Sequence, residues 1–128
     1  MARAKCSTEA QEQRTVMQWA KMMSYNVVEL ELLFHIPNGG NRDARTGYQL
    51  KLQGAKAGVP DLFLPCARCG YHGLFIEMKR RKAWSISEQQ RYWIDKLNAQ
   101  DYLAQVCIGA DSAIQLIDAY MNERITKK

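Results

Sequence analysis

The 128-residue chain is 47% hydrophobic and 24% charged, with no low-complexity tract and no internal repeat, so one globular domain over residues 1–128 is expected. Eighteen Lys and Arg against thirteen Asp and Glu leave a net charge of +5, which favours a polyanionic partner, nucleic acid or acidic membrane, without choosing between them. No apolar run approaches the ~18–20 residues of a membrane span, and Met1–Cys6 lacks the apolar core of a signal peptide. The expected compartment is therefore the cytoplasm, where the four cysteines stay reduced.

Ser7 and Thr8 are N-cap residues for a first helix reaching about Met23, with Glu9 and Glu12 in its first turns and Val16, Met17, Trp19, Ala20 and Met23 on its apolar face. Leu30–Ile36 reads as a short strand or a packed approach to Pro37. Pro37-Asn38-Gly39-Gly40-Asn41 has loop chemistry that lets backbone approach a ligand. A second, polar helix is expected from about Arg42 to Lys56, carrying Arg42, Arg45, Lys51 and Lys56.

Val59–Leu64 and Leu74–Lys79 read as two strands joined by the Pro65–Gly73 loop. Ser87 then caps a helix from about Glu88 to Ala99, Tyr102–Ile108 forms another strand, and a closing helix runs from Ala110 to about Ile125. Two antiparallel strands, followed by a helical crossover to a further strand, give an α/β fold: a small mixed β-sheet flanked by helices.

The chemistry concentrates on Asp61, Glu77 and Lys79. Side chains alternate along a strand, so Glu77 and Lys79 share a face while Met78 points away. If the two strands pair, Asp61 joins them. Two carboxylates suit a hard divalent cation, and an amine beside them suits a water or a phosphate, an arrangement able to cut phosphodiesters. Isolated charges at strand ends are more often solvated, so the spacing alone is a weak signal.

Five sequence blocks in order make it stronger. They are Thr8-Glu9-Ala10 with Gln13; His35-Ile36-Pro37-Asn38-Gly39-Gly40-Asn41-Arg42; Gly58-Val59-Pro60-Asp61; Tyr71-His72-Gly73-Leu74-Phe75-Ile76-Glu77-Met78-Lys79; and Ser87, Gln90 and Trp93. Over nearly its full length the chain resembles the VRR-NUC branch of the PD-(D/E)XK nuclease superfamily, in particular its small standalone members. The resemblance implies a compact restriction-endonuclease-like core with Asp61 and Glu77 as metal-binding carboxylates and the Met78 carbonyl as a further ligand. It implies Lys79 as the residue that positions or activates the attacking water, and Gln90 as the helix glutamine beside the catalytic strand. Glu9 is the implied acidic contribution of the first helix to catalysis and metal binding, with Glu12 its competitor. Asn38, Gly39, Gly40 and Arg42 would line a DNA groove, and Lys51, Arg80 and Arg81 would extend it along the backbone.

The same resemblance implies a Mg²⁺- or Mn²⁺-dependent endonuclease acting on branched DNA, with four-way (Holliday) junctions as substrate; a two-fold junction suits a homodimer, since symmetric targets pair with two-fold proteins. No membrane partner is expected. The rival from another class is a binding module that keeps the nuclease fold without cutting. Cys66-x-x-Cys69-x-x-His72 also has zinc-like spacing, but a fourth local ligand is missing, so a reduced hairpin loop is the expected reading.

Overall fold

The computed structural model describes residues 6–37 and 44–128. Helix α1 (Glu9–Met23) starts at Thr8, whose hydroxyl accepts the Gln11 N–H while the Gln11 side chain accepts the Thr8 N–H. This reciprocal box satisfies backbone donors that a helix start leaves free. A 3₁₀ turn (Val28–Leu32) leads into a two-residue strand β1 (Phe34–His35), which the sequence left undecided between strand and packed segment.

Helix α2 covers Ala44–Leu52, shorter than the expected reach to Lys56. The reason is Gly54, at φ +104°, where the chain turns left-handed. Its N–H bonds the Lys51 carbonyl and the Ala55 N–H bonds the Leu50 carbonyl, closing the helix as a Schellman motif.

Strands β2 (Leu62–Leu64), β3 (Leu74–Lys79) and β4 (Leu103–Ile108) complete a sheet of order β1-β2-β3-β4. β1–β2 and β2–β3 are antiparallel, and β3–β4 is parallel. The parallel pair requires a crossover, supplied by helix α3 (Glu88–Ala99). Helix α4 (Ala110–Met121) follows, ending before the expected Ile125. There Glu123 takes the left-handed conformation (φ +55°), and the Arg124 N–H returns to the Ala119 carbonyl.

The two faces of the sheet differ. Leu74, Ile76 and Met78 point into the core, where they pack with Leu62, Leu64, Val16, Ala20, Ile117 and Tyr120 under α1 and α4. Phe75, Glu77 and Lys79 take the opposite face by strand alternation. Phe63 stacks on Phe75 there, with ring centroids 4.1 Å apart, and Phe34 and Tyr102 meet them edge-on.

The turn after β2 is tight: Cys69 and Gly70 both have positive φ, and the Tyr71 N–H bonds the Arg68 carbonyl. The Tyr120 hydroxyl anchors this turn by donating to the Cys66 carbonyl at 2.6 Å. The Cys66 and Cys69 thiols donate to the Glu29 and Tyr120 carbonyls, and His72 meets the Tyr102 ring, so the three side chains of the zinc-like spacing each engage a different neighbour. Among the described residues no three His, Cys, Asp or Glu side chains form a ready metal cluster.

Gly58 fixes how the loop before β2 meets α3. It lies at φ +93°, and a Cβ there would sit 2.5 Å from the Gln89 carbonyl carbon. Gly58→Ala is expected to destabilise the protein by about 2 kcal/mol or more, combining left-handed strain with backbone collision. Urea titration checks this; a loss under about 0.5 kcal/mol would show that the loop moves aside freely.

Candidate active site

Asp61 lies one residue before β2, whose first pair is Leu62 with Ile76, so continuing the register sets Asp61 opposite Glu77. Its carboxylate accepts the Met78 N–H at 2.7 Å. Its carbonyl accepts the Ile36 N–H at 2.7 Å and the His35 ring Nδ1 at 2.9 Å. A carbonyl only accepts, so Nδ1 carries the imidazole proton. Asp61 is thus held from the β1 side and the β3 side at once. The Met78 carbonyl leaves the same edge of β3 as its N–H, the edge that Asp61 occupies.

The Glu77 side chain is 3% exposed and that of Lys79 is 7% exposed. The Lys79 ammonium lies 3.6 Å from Glu77 Oε2 and 3.8 Å from Glu9 Oε1. It donates to Gln90 Oε1 at 3.0 Å, and the Gln90 amide nitrogen donates to Glu77 Oε2 at 3.3 Å. The same Gln90 oxygen accepts the Ser87 N–H at 3.0 Å, and Ser87 Oγ accepts the Gln90 N–H at 3.1 Å, forming the capping box of α3. A glutamate in this box would cap the helix equally well but would bring a further carboxylate against Glu77. The amide supplies both polarities: an acceptor for Lys79 and a donor for Glu77.

Glu77 Oε1 is buried with no hydrogen-bond partner among the described residues. Burial, then the negative charge of Asp61 and the side-chain hydrogen bond that a protonated Glu77 shares with it, push the Glu77 carboxyl from its usual 4.5 up to about 9, against the pull of Lys79. An orphaned buried oxygen next to a second carboxylate fits a hard divalent cation, which would bind both in ionised form. Residues that would hold it are Asp61, Glu77 and the Met78 carbonyl, with Glu9 approaching from solvent.

The two glutamates of the first turn of α1 part company. Glu9 is 46% exposed and faces Lys79. Glu12 is 6% exposed, accepts the Ala110 N–H at the start of α4 at 2.6 Å, and pairs with Arg81 Nε at 3.2 Å. It therefore satisfies a helix N-terminus in a neighbouring element. Arg81 also reaches Asp111 at 3.4 Å, so its guanidinium already engages two carboxylates. Arg80 buries its Nε without a partner among the described residues. Lys51 lines a cavity of about 640 Å³ together with Asp61, Glu77 and Gln90. Asn38, Gly39, Gly40 and Arg42 lie outside the described residues.

Sequence reasoning did not assign roles to His35, the Met78 N–H or Ser87 in holding the site. His35 and Ser87 stand inside the quoted blocks, but no local pattern says that an imidazole braces a carbonyl 26 residues away.

Glu12→Ala is expected to lower stability by about 2 kcal/mol, because it orphans the Ala110 N–H and half of the Arg81 contact. Glu9→Ala should change stability by less than about 0.5 kcal/mol. Thermal unfolding of both variants checks the split, and equal losses would refute it.

The pH dependence is equally specific. Between pH 4.5 and about 9 folded Glu77 keeps a proton that the unfolded chain has released. The folded state then binds more protons, so this group's contribution falls as pH rises. In metal-free protein, Glu77→Gln should gain stability over wild type progressively from about pH 5 to about pH 9. A difference that stays constant across that range refutes the raised carboxyl.

Comparison with known proteins gives the family. The family model of the VRR-NUC domain matches residues 2–111. A solved structure of a VRR_NUC domain protein superposes with a TM-score of 0.80 at 31% identity, covering 94% of this chain and 93% of that one. No curated protein matches. The chain belongs to the VRR-NUC domain family, a nuclease-type fold whose substrate class is nucleic acid.

Proposed function

We propose that this chain is a Mg²⁺- or Mn²⁺-dependent endonuclease selective for branched DNA. The observation that carries the reading is the buried Glu77 with its unpartnered Oε1, set against Asp61 and flanked by Lys79. A purely structural ion pair would leave no such oxygen unmatched in a cavity open to a ligand. When bound, a divalent cation lowers the pKa of water and neutralises charge that develops on the phosphoryl oxygens.

The chain's own groups do the rest. Asp61 and Glu77 would hold the cation, and they are themselves held by the Met78 N–H and by Gln90. The Lys79 ammonium, fixed by Gln90, orients the attacking water and counters charge on the scissile phosphate. Water attacks phosphorus in line and gives up a proton to solvent, the bond to the 3′-oxygen breaks, and that oxygen takes a proton from solvent, giving 5′-phosphate and 3′-hydroxyl ends. Two copies related by a two-fold axis would present paired sites to a four-way junction of the same symmetry, cutting it as a homodimer. The unbridged state of all four cysteines suits action in the cytoplasm. No helix of the described residues is long and apolar enough to cross a membrane.

The test is cleavage of four-way junction, flap, splayed and linear duplex DNA with Mg²⁺ or Mn²⁺. Wild type should cut branched substrates, and Asp61→Ala and Lys79→Ala should each lower the rate by on the order of 10²–10³. Binding without cutting by wild type in either metal would favour the non-catalytic module instead.

A further inference from the structure

The cavity at the carboxylates does not end there. A second cavity of about 620 Å³ adjoins it, lined by Lys51, Lys56, Glu88, Gln89, Tyr92 and Trp93 among others. Lys51, Ala55, Lys56, Ala57 and Gln89 line both spaces, so they form one trough. Its first wall is the end of α2 and the chain leaving it. Its second wall is one face of α3, since Gln89, Tyr92 and Trp93 are spaced i, i+3, i+4.

We propose that this trough holds the unpaired strand of a branched DNA substrate next to the scissile phosphate, with a nucleobase stacked on Tyr92. The proposal rests on the nuclease reading above, because it takes the strand entering that site as its occupant.

Charge and exposure select this occupant. Lys51 and Lys56 are exposed and form no ion pair among the described residues, so both are available to phosphates. Lys96 lines neither space; its ammonium sits over the Tyr92 ring, 5.6 Å from the ring centre. Glu88 is the one acid lining the outer space, and it sits in the first turn of α3, where the helix dipole offsets its charge. Tyr92 is 57% exposed, although its ring is braced edge-on by Trp93, with centroids 6.3 Å apart. Cations along a groove with a braced aromatic in its wall are what a single strand uses: backbone on lysines, base on the ring. A paired duplex offers the same phosphates, but its base faces are already covered by their neighbours in the stack. The exposed ring therefore favours an unpaired strand over a duplex.

The experiment places 2-aminopurine at successive positions of the unpaired arm of a splayed duplex and follows its fluorescence on binding in EDTA. Wild type should quench the probe at a defined position, Tyr92→Ala should abolish the quench, and Tyr92→Trp should restore it. An abasic site at that position should weaken wild-type binding about tenfold or more, yet leave Tyr92→Ala unaffected, because the two changes remove one contact. Lys51→Gln and Lys56→Gln should each reduce the salt dependence of binding by about 0.7 in log–log slope. Quenching that survives Tyr92→Ala, or abasic and Tyr92→Ala losses that add, would overturn the trough. So would a linear duplex that binds as tightly as the splayed duplex. The binding readouts decide this even if no DNA is cut. Cleavage with Mg²⁺ but no quench would remove the trough and keep the nuclease.

Discussion

A carboxylate buried against another carboxylate is the constraint around which this molecule is arranged. Glu77 has almost no contact with solvent, Asp61 stands opposite, and like charges so placed cannot both ionise without help. The surrounding groups supply that help incompletely. The Met78 N–H takes one Asp61 oxygen, and Gln90 and Lys79 converge on one Glu77 oxygen, while the other stays unmatched. Without a cation a proton resolves the conflict. A bound cation would let both carboxylates ionise, and the cluster that strains the folded chain would then be what holds it. Stability and function are in opposition at this spot, as expected where a site is preorganised.

The rest of the fold acts to bring four elements to that spot. The residue before β2 supplies Asp61, β3 supplies Glu77 and Lys79, α1 supplies Glu9, and α3 supplies Gln90. Contacts outside the cluster fix several of these elements. Gly58 lets the loop before β2 lie on the first turn of α3, close enough that only hydrogen fits between. Glu12 ties α1 to the start of α4 and to Arg81, one turn along from Glu9. His35 braces the backbone of Asp61 from the edge strand. The core under α1 and α4 keeps the opposite sheet face dry, leaving the Phe75–Glu77–Lys79 face for the site.

Element boundaries show which local signals carry information. α1 and α3 begin where their capping boxes predict, because Thr8 with Gln11 and Ser87 with Gln90 satisfy backbone donors using neighbours only three residues away. α2 stops at a glycine, so its true end was readable from Gly54 despite the longer helix first expected. α4 gave no such signal. Its left-handed terminus falls on Glu123, a residue type that ordinarily avoids that conformation; there the side chain accepts the Cys69 N–H and the Arg124 N–H returns to the Ala119 carbonyl. β1 is similarly short of local evidence: two residues become a strand only because β2 lies beside them.

The sequence by itself determined the family, the mixed sheet, and the convergence of Glu77 with Lys79, since strand alternation places residues two apart on one face whatever surrounds them. It also marked Asp61 and Gln90 through the order of their motifs. Only the tertiary structure decided between Glu9 and Glu12. Both sit near the start of the same helix with the same side chain, and the choice depends on what each meets: Lys79 for one, the α4 N-terminus for the other. It likewise turned Arg81 toward Glu12 and Asp111, and joined Lys51 and Lys56 to Tyr92 in one trough. Those are contacts between residues far apart in the chain, and no local pattern encodes them.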